Sequence, residues 1–291
     1  MPHSVSRRQS LKTLALAGVG ASLAHRLQAA DQALGEPLKG KINHSVCRWC
    51  YNSVSLDDLC KAAKDIGLQS IELLGPKEWP TVQKYGLTVA LPQGAGMGIE
   101  KGFNNPQYHD ALVKSYEEVI PIVAKAGFNQ IICFSGNRNG MDDEKGLENA
   151  AAGLKRIMAT AEKHKVTMVM ELLNSKVNHK DYMADHTAWG ATLAEKIGSE
   201  RFKLLYDIYH MQIMEGDVIA TIKKYHPYIS HYHTGGVPGR AEIDETQELN
   251  YPAIMRAIAE TGFKGFVAQE FIPKRADKLA SLRQGVEICD I

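Results

Sequence analysis

The chain has 291 residues, 44% of them hydrophobic and 23% charged. That excludes a small stapled scaffold and suits one large α/β barrel or two ordinary domains. With 34 Lys and Arg against 33 Asp and Glu, the net charge of +1 leaves no footprint for wrapping nucleic acid, and five cysteines are no disulfide framework.

Residues 1–30 read as an address. Arg7 and Arg8 precede a short apolar run, Leu14 to Ala24, and small residues follow up to Ala29 and Ala30. A charged start, a short apolar core and small residues at the end describe an export signal. Ser6-Arg7-Arg8-Gln9-Ser10-Leu11-Lys12 resembles the twin-arginine signal SRRxFLK, with Ser10 where that pattern carries Phe. The alternative is an amphipathic N-terminal helix with a chance Arg pair. The apolar run is too short for a comfortable membrane span. Cleavage would leave 30 basic and 33 acidic residues, a charge of −3, and a periplasmic protein free of the membrane.

From residue 38 to 291 the chain reads as one domain of alternating strands and helices. The strand candidates are residues 42–47, 70–74, 87–91, 130–134, 166–172, 203–207, 229–233 and 265–271. Such nearly continuous apolar runs suit strands buried on both faces of a parallel sheet. Helices are expected over residues 56–66, 110–126, 144–164, 187–197, 217–225, 251–261 and 278–288. Ser55 is placed to cap the first of them and Gly67 to stop it. Ala63–Leu68, Ala124–Phe128 and Ala259–Phe263 repeat one pattern: helix end, Gly, apolar residue, strand. Eight strand–helix units in about 255 residues is the size of a (β/α)8 TIM barrel. A doubly wound sheet would want a Gly-rich phosphate turn after an early strand. Gly94-Ala95-Gly96-Met97-Gly98 follows the third strand, opens no clear helix, and reads as a loop.

In such a barrel the active site lies at the C-terminal ends of the strands. There the fifth strand ends on Glu171, the sixth on Asp207, the seventh on His231-Tyr232-His233 and the eighth on Glu270. A charge at the end of a buried strand is costly unless it is paired or holds a cation. Three carboxylates and an imidazole suit one divalent ion, Mn²⁺, Mg²⁺, Co²⁺ or Zn²⁺. His231 and His233 point the same way, and His233 is nearer the strand end. Glu72 ends the second strand, where it either faces the pocket or forms a structural ion pair. Trp49, Trp79 and Phe103 stand near strand ends and either wall the pocket or pack the core. Cys47 and Cys50 form a CxxC, incidental or a periplasmic disulfide. His179 and His186 either line the mouth or lie on a surface loop.

Asp207-Ile208-Tyr209-His210-Met211-Gln212 resembles the DxxHxQ segment of the hydroxypyruvate isomerases. His231 to Arg240 resembles their H-x-Q-I-A-x-x-P-x-R loop, Glu248-Leu249-Asn250-Tyr251-Pro252 their E-I-N-Y-P, and Gln269-Glu270-Phe271 their C-E-Y. The resemblance spans roughly residues 40–290 and is most specific over 166–274. It implies membership of the xylose-isomerase-like TIM barrels, with ketose 3-epimerases as relatives. It also implies Glu171, Asp207, His233 and Glu270 as metal ligands, Glu171 and Glu270 as the acid/base pair, and His210 and Arg240 as substrate contacts. His233 stands where hydroxypyruvate isomerases usually have Gln and the epimerases His. Val177 stands where the epimerases carry a second Glu, as in the isomerase branch.

The chemistry expected is proton transfer beside a carbonyl in a small-molecule substrate. Arg240 suits a substrate carboxylate because its fork fits one bidentately; a loop-bracing salt bridge is the alternative. The leading expectation is a hydroxypyruvate isomerase-like enzyme. Rivals are a periplasmic sugar or keto-sugar epimerase, a metal-dependent phosphodiesterase, and a non-catalytic sugar-binding barrel. A homo-oligomer is open.

Overall fold

A computed structural model describes residues 37–291. The expected export signal lies outside the described residues. Residues 38–291 form one compact unit. Its strands are β1 (Asn43–Cys47), β2 (Ser70–Glu72), β3 (Gln130–Cys133), β4 (Thr167–Glu171), β5 (Phe202–Asp207), β6 (Ile229–Thr234) and β7 (Phe266–Gln269). All pair in parallel, in the order β2-β1-β7-β6-β5-β4-β3.

Eight strands were expected, and the structure forms seven regular ones. Residues 87–93 fill the remaining place between β2 and β3 irregularly. Thr88 N–H donates to the Gln69 carbonyl at 2.9 Å, and the Ile71 and Leu73 N–H groups donate to Thr88 and Leu91. The ladder is broken because Ala90 N–H goes to the Ser70 hydroxyl, at 2.8 Å, rather than to a carbonyl. Pro92 brings no N–H at all, and its carbonyl accepts from Ile132 N–H on β3.

The helices are α1 (Leu56–Ile66), α2 (Trp79–Lys84), α3 (His109–Lys125), α4 (Asp143–His164), α5 (Thr187–Ile197), α6 (Ile208–Met214), α7 (Val218–Tyr225), α8 (Tyr251–Glu260) and α9 (Lys278–Cys289). The sequence reading missed α2 and α6, both too short to show a full amphipathic period. The α1 caps are as expected. Ser55 Oγ accepts from Asp58 N–H, and Gly67 closes the helix at φ 98°. The buried face of α1 is Leu59, Cys60, Ala63 and Ile66, a spacing that gives one apolar stripe against the sheet. Among the described residues no helix is long and apolar enough to cross a membrane.

Side chains alternate along each strand, so the barrel interior is built in layers. Leu91, Ile132, Val169 and Leu205 pack as one buried apolar cluster. Two residues farther along, β4 and β5 present Glu171 and Asp207, and the chain after β3 presents Phe134. On the opposite half, Cys47, Glu72, His231 and His233 are all fully buried and polar or ionisable. The interior is therefore apolar on one side and polar on the other. A register shift in β5–β6 aligns the two halves: Leu204 pairs with Ile229 but Leu205 with His231, which sets Asp207 level with His233. A one-residue slip would turn His233 to the outer face.

His44 sits on the outer side of β1, almost wholly buried, with neither ring nitrogen hydrogen-bonded. Burial drives its pKa down to about 4, despite Asp290 at 4.0 Å. The folded value lies below the unfolded one, so protons bind the unfolded chain preferentially. Stability is full above about pH 6.5 and is lost as the pH falls toward 4, by roughly 3 kcal/mol. Chemical denaturation of the unsubstituted chain and His44→Gln between pH 7.5 and 4.5 checks this. The variant is expected to show the shallower pH slope; parallel slopes would sink the assignment.

Candidate active site

Glu171, Asp207, His233 and Glu270 converge at the C-terminal end of the sheet. One donor atom from each lies within 4.8 Å of the others, and all four are buried. His233 Nδ1 is 2.8 Å from Glu270 Oε2 and 3.5 Å from Glu171 Oε1. Asp207 has two duties. It is the N-cap of α6, where one carboxylate oxygen accepts from His210 N–H at 3.1 Å. The other oxygen faces Arg240 at 3.2 Å and His210 Nε2 at 3.6 Å. The helix start thereby holds Asp207 in one rotamer at the centre of the site.

Arg240 reaches in from the loop after β6. Its guanidinium bonds both Asp207 and Glu270. It lies between the Trp49 and Tyr209 rings, 5.2 and 5.3 Å from their centroids, an arrangement in which cation–π attraction holds the charge. The backbone of Arg240 is left-handed at φ 55°, and its N–H donates to the Gly236 carbonyl at 2.7 Å. Gly236 is required there, since a Cβ would come within 2.3 Å of the Glu242 carbonyl oxygen. Trp49 projects from a short 3-10 turn, Arg48–Tyr51, and its indole N–H donates to Glu270 Oε1 at 2.8 Å.

The charges do not balance within the chain. Burial, with Glu270 and Glu171 nearby, lifts the Asp207 carboxyl well above the usual carboxylate range, although Arg240 and His233 oppose the rise. Burial also raises Glu171, and the charge of Glu270 adds to it. For Glu270 burial is outweighed by Arg240 and His233, which hold it low. Burial drives His210 well below the usual imidazole value, with Arg240 adding to the effect. His210 is thus neutral. Its Nδ1 accepts from the Asn174 backbone N–H at 3.1 Å, which puts its proton on Nε2, toward Asp207.

A cavity of about 460 Å³ opens on this cluster. Glu171, Glu270, Arg240 and His179 form its polar wall; Leu73, Ile132, Phe134 and Leu173 form an apolar wall opposite. The structure thus gathers the four expected ligands with Arg240 and His210. Of the two readings of Glu72, the substrate contact is the one the structure opposes: the side chain is fully buried behind His233, away from the cavity wall, and pairs with His231 and His233. His210 is likewise buried, beside Asp207 rather than on that wall. Of the aromatic candidates, Trp49 lines the cavity. Trp79 and Phe103 are core, packed on Phe128 and Tyr116. His179 lines the cavity, whereas His186 is half exposed and pairs with Asp185 at 2.7 Å. Cys47 and Cys50 are both free thiols. Sequence reasoning missed Asn174 and Tyr209 as neighbours of His210 and Arg240; a polar residue shortly after strand-end Glu171 and an aromatic one residue before His210 were the available signals.

The sequence profile described as xylose isomerase-like TIM barrel matches residues 60–289. A human protein provisionally named hydroxypyruvate isomerase is 32% identical over 258 residues, covering 82% of this chain and 91% of its own length. The crystal structure named AP endonuclease, family 2, from Brucella melitensis superposes with a TM-score of 0.74 at 21% identity, over 84% of this chain and 98% of that one. The 3-keto-D-glucoside 4-epimerase of E. coli superposes with a TM-score of 0.71 at 15% identity, over the same shares. These two structures share the fold. From its profile match and its human relative, the chain belongs to the xylose isomerase-like TIM barrel family.

Proposed function

We propose that this protein is a metal-dependent isomerase of a small hydroxy-carbonyl compound, of the hydroxypyruvate isomerase kind. One observation carries the reading. Three carboxylates and an imidazole from four strand ends meet within 4.8 Å, beneath a cavity of substrate size. The human relative's name supports the reaction class.

The donor set fits a hard or borderline divalent ion. Its carboxylates are buried and short of positive charge, as the raised Asp207 shows. Glu171, Asp207, Glu270 and His233 Nδ1 would hold the ion. When bound, it supplies Lewis acidity to a carbonyl and its neighbouring hydroxyl. The chain's own groups do the rest. Glu171 and Glu270 both border the cavity, and their carboxyls are shifted in opposite directions, which suits one proton acceptor and one proton donor. One removes the proton from carbon, and the pair returns it to the adjacent carbon. Arg240 steadies the negative charge that develops beside the cluster. His210, buried off the cavity wall, turns its Nε2 proton toward Asp207 and steadies that carboxylate. Phe134, Leu73 and Leu173 keep bulk water from the apolar side.

A second reading, a keto-sugar epimerase, is favoured by the size of the cavity. About 460 Å³ is the room of roughly fifteen waters at ~30 Å³ each. That exceeds the need of a three-carbon acid. We further propose export by the N-terminal segment, which would place the enzyme in the periplasm.

Exchange in D₂O tests the chemistry. The Mn²⁺-loaded chain is incubated with hydroxypyruvate and a panel of ketoses and followed by NMR. Deuterium uptake beside the carbonyl is expected, falling about 10²–10⁴-fold in Glu270→Gln. Tight Mn²⁺ binding with no uptake on any compound would count against the isomerase. Chelation is expected to abolish exchange and lower the melting temperature, since an ion bound only by the folded chain stabilises it. Readdition of Mn²⁺ should restore both; exchange that survives chelation would remove the metal from the mechanism. Arg240→Lys is expected to lose at least tenfold in kcat/KM, because an ammonium cannot span Asp207 and Glu270 between two rings. An unchanged value would reduce Arg240 to a loop brace.

A further inference from the structure

Behind His233, on the side away from the cavity, lies a second buried cluster that the reaction does not use. Glu72 Oε1 is 2.8 Å from His231 Nε2 and 2.9 Å from His233 Nε2. Cys47 Sγ stands 3.7 Å from His233 Nε2 and 3.9 Å from Glu72 Oε1. Glu72, His231, His233 and Cys47 are all completely buried.

Glu72 Oε1 stands within hydrogen-bond distance of two ring nitrogens at once. A carboxyl oxygen has at most one proton to give, whereas a carboxylate oxygen accepts from both, so the arrangement is that of two Nε2–H groups donating to one carboxylate oxygen. For His233 this decides which nitrogen faces the cavity. Nε2–H is tied to Glu72, and Nδ1 is left pointing at Glu270 and Glu171. His231, two residues back on the same strand, holds Glu72 from below. No solvent reaches the cluster to replace a lost partner.

The backbone shows that Glu72 is held in place. Leu73 directly follows it in the left-handed region, at φ 59°, a conformation that a branched side chain rarely adopts. Its N–H is fixed to the Leu91 carbonyl at 2.8 Å. The turn sends Leu73 to the cavity wall and leaves Glu72 beneath, against His233.

A second metal ion among Cys47, Glu72, His231 and His233 is the competing use. That cluster brings a single carboxylate and no opening to the cavity, and the number of ions bound per chain separates the two uses.

We propose that Glu72, braced by His231, is a positioning residue that orients His233 so that Nδ1 serves the metal site. The proposal rests on the metal-dependent reading above. Such outer partners of a ligating histidine fix its tautomer and ring orientation, and losing one typically costs 10–100-fold in metal affinity.

The test measures Mn²⁺ binding by electron paramagnetic resonance on the chelated, then titrated, full chain. One ion per chain is expected, with affinity about 10–100-fold weaker in Glu72→Gln. The melting temperature of the chelated protein is recorded beside it. A merely structural role would lower that temperature and leave the affinity of the folded variant unchanged, which overturns the proposal. Two ions per unsubstituted chain, one lost in Glu72→Gln, would make Glu72 a ligand and overturn it as well. If the unsubstituted chain binds no ion, the metal reading fails and the positioning role fails with it. Binding that persists unweakened in Glu72→Gln sinks only the positioning role. Should the variant not fold, proton NMR of the Mg²⁺-loaded unsubstituted chain decides. Two slowly exchanging downfield imidazole N–H signals, from His231 and His233, are expected; their absence overturns the proposal.

Discussion

Buried negative charge is the constraint on which the rest of this structure depends. Glu171, Asp207 and Glu270 are brought together almost wholly buried in protein, at the floor of the cavity. Isolated carboxylates in such a place would cost far more than a fold's net stability, so each needs a proton, a cation or hydrogen bonds. The chain supplies Arg240 and His233 as local cations, and still Asp207 and Glu171 are pushed toward their protonated forms. That deficit is what the proposed divalent ion would relieve. The surrounding features follow from it: the cap of α6 that fixes Asp207, the rings that hold Arg240, and the indole that occupies one oxygen of Glu270.

The divided barrel interior is the second consequence. Polar strand residues on β1, β2 and β6 sit together, so Cys47, Glu72, His231 and His233 contact one another out of reach of water, with Glu72 Oε2 and His231 Nδ1 left without a partner among the described residues. Apolar residues from β3, β4 and β5 fill the other half as Leu91, Ile132, Val169 and Leu205. The cavity inherits both characters. Glu171, Glu270 and Arg240 bring charge to it, while Leu73, Ile132, Phe134 and Leu173 bring hydrocarbon, with Gln93 also on its lining. In that low-dielectric setting each charge acts more strongly than it would in water.

Much of the fold was legible because the parallel strands are apolar on both faces and the α1 cap signals are local. The third strand misled for a local reason too. Residues 87–91 are apolar enough for a strand, but Pro92 and the Ser70 hydroxyl divert the ladder's hydrogen bonds. The short helix α6 was hidden by its length, although Asp207 before His210 is an ordinary capping pattern. Trp79 and Phe103 lie near strand ends in sequence, yet their neighbours Phe128 and Tyr116 come from distant segments and draw them into the core.

The sequence by itself determined the eight-unit architecture, apart from its irregular third strand. It also determined the four ligand-type residues, because each stands at the end of an apolar run, and strand ends in a parallel barrel share one address. Tertiary structure alone decided how those residues divide their work. Glu72 and Glu270 both sit at strand ends, and nothing in their local sequence tells them apart. The register of β6 against β5 and the left-handed turn at Leu73 place one behind His233 and the other before it. That difference arises from contacts some 160 residues apart along the chain, between β2 and β6, which no local pattern can encode.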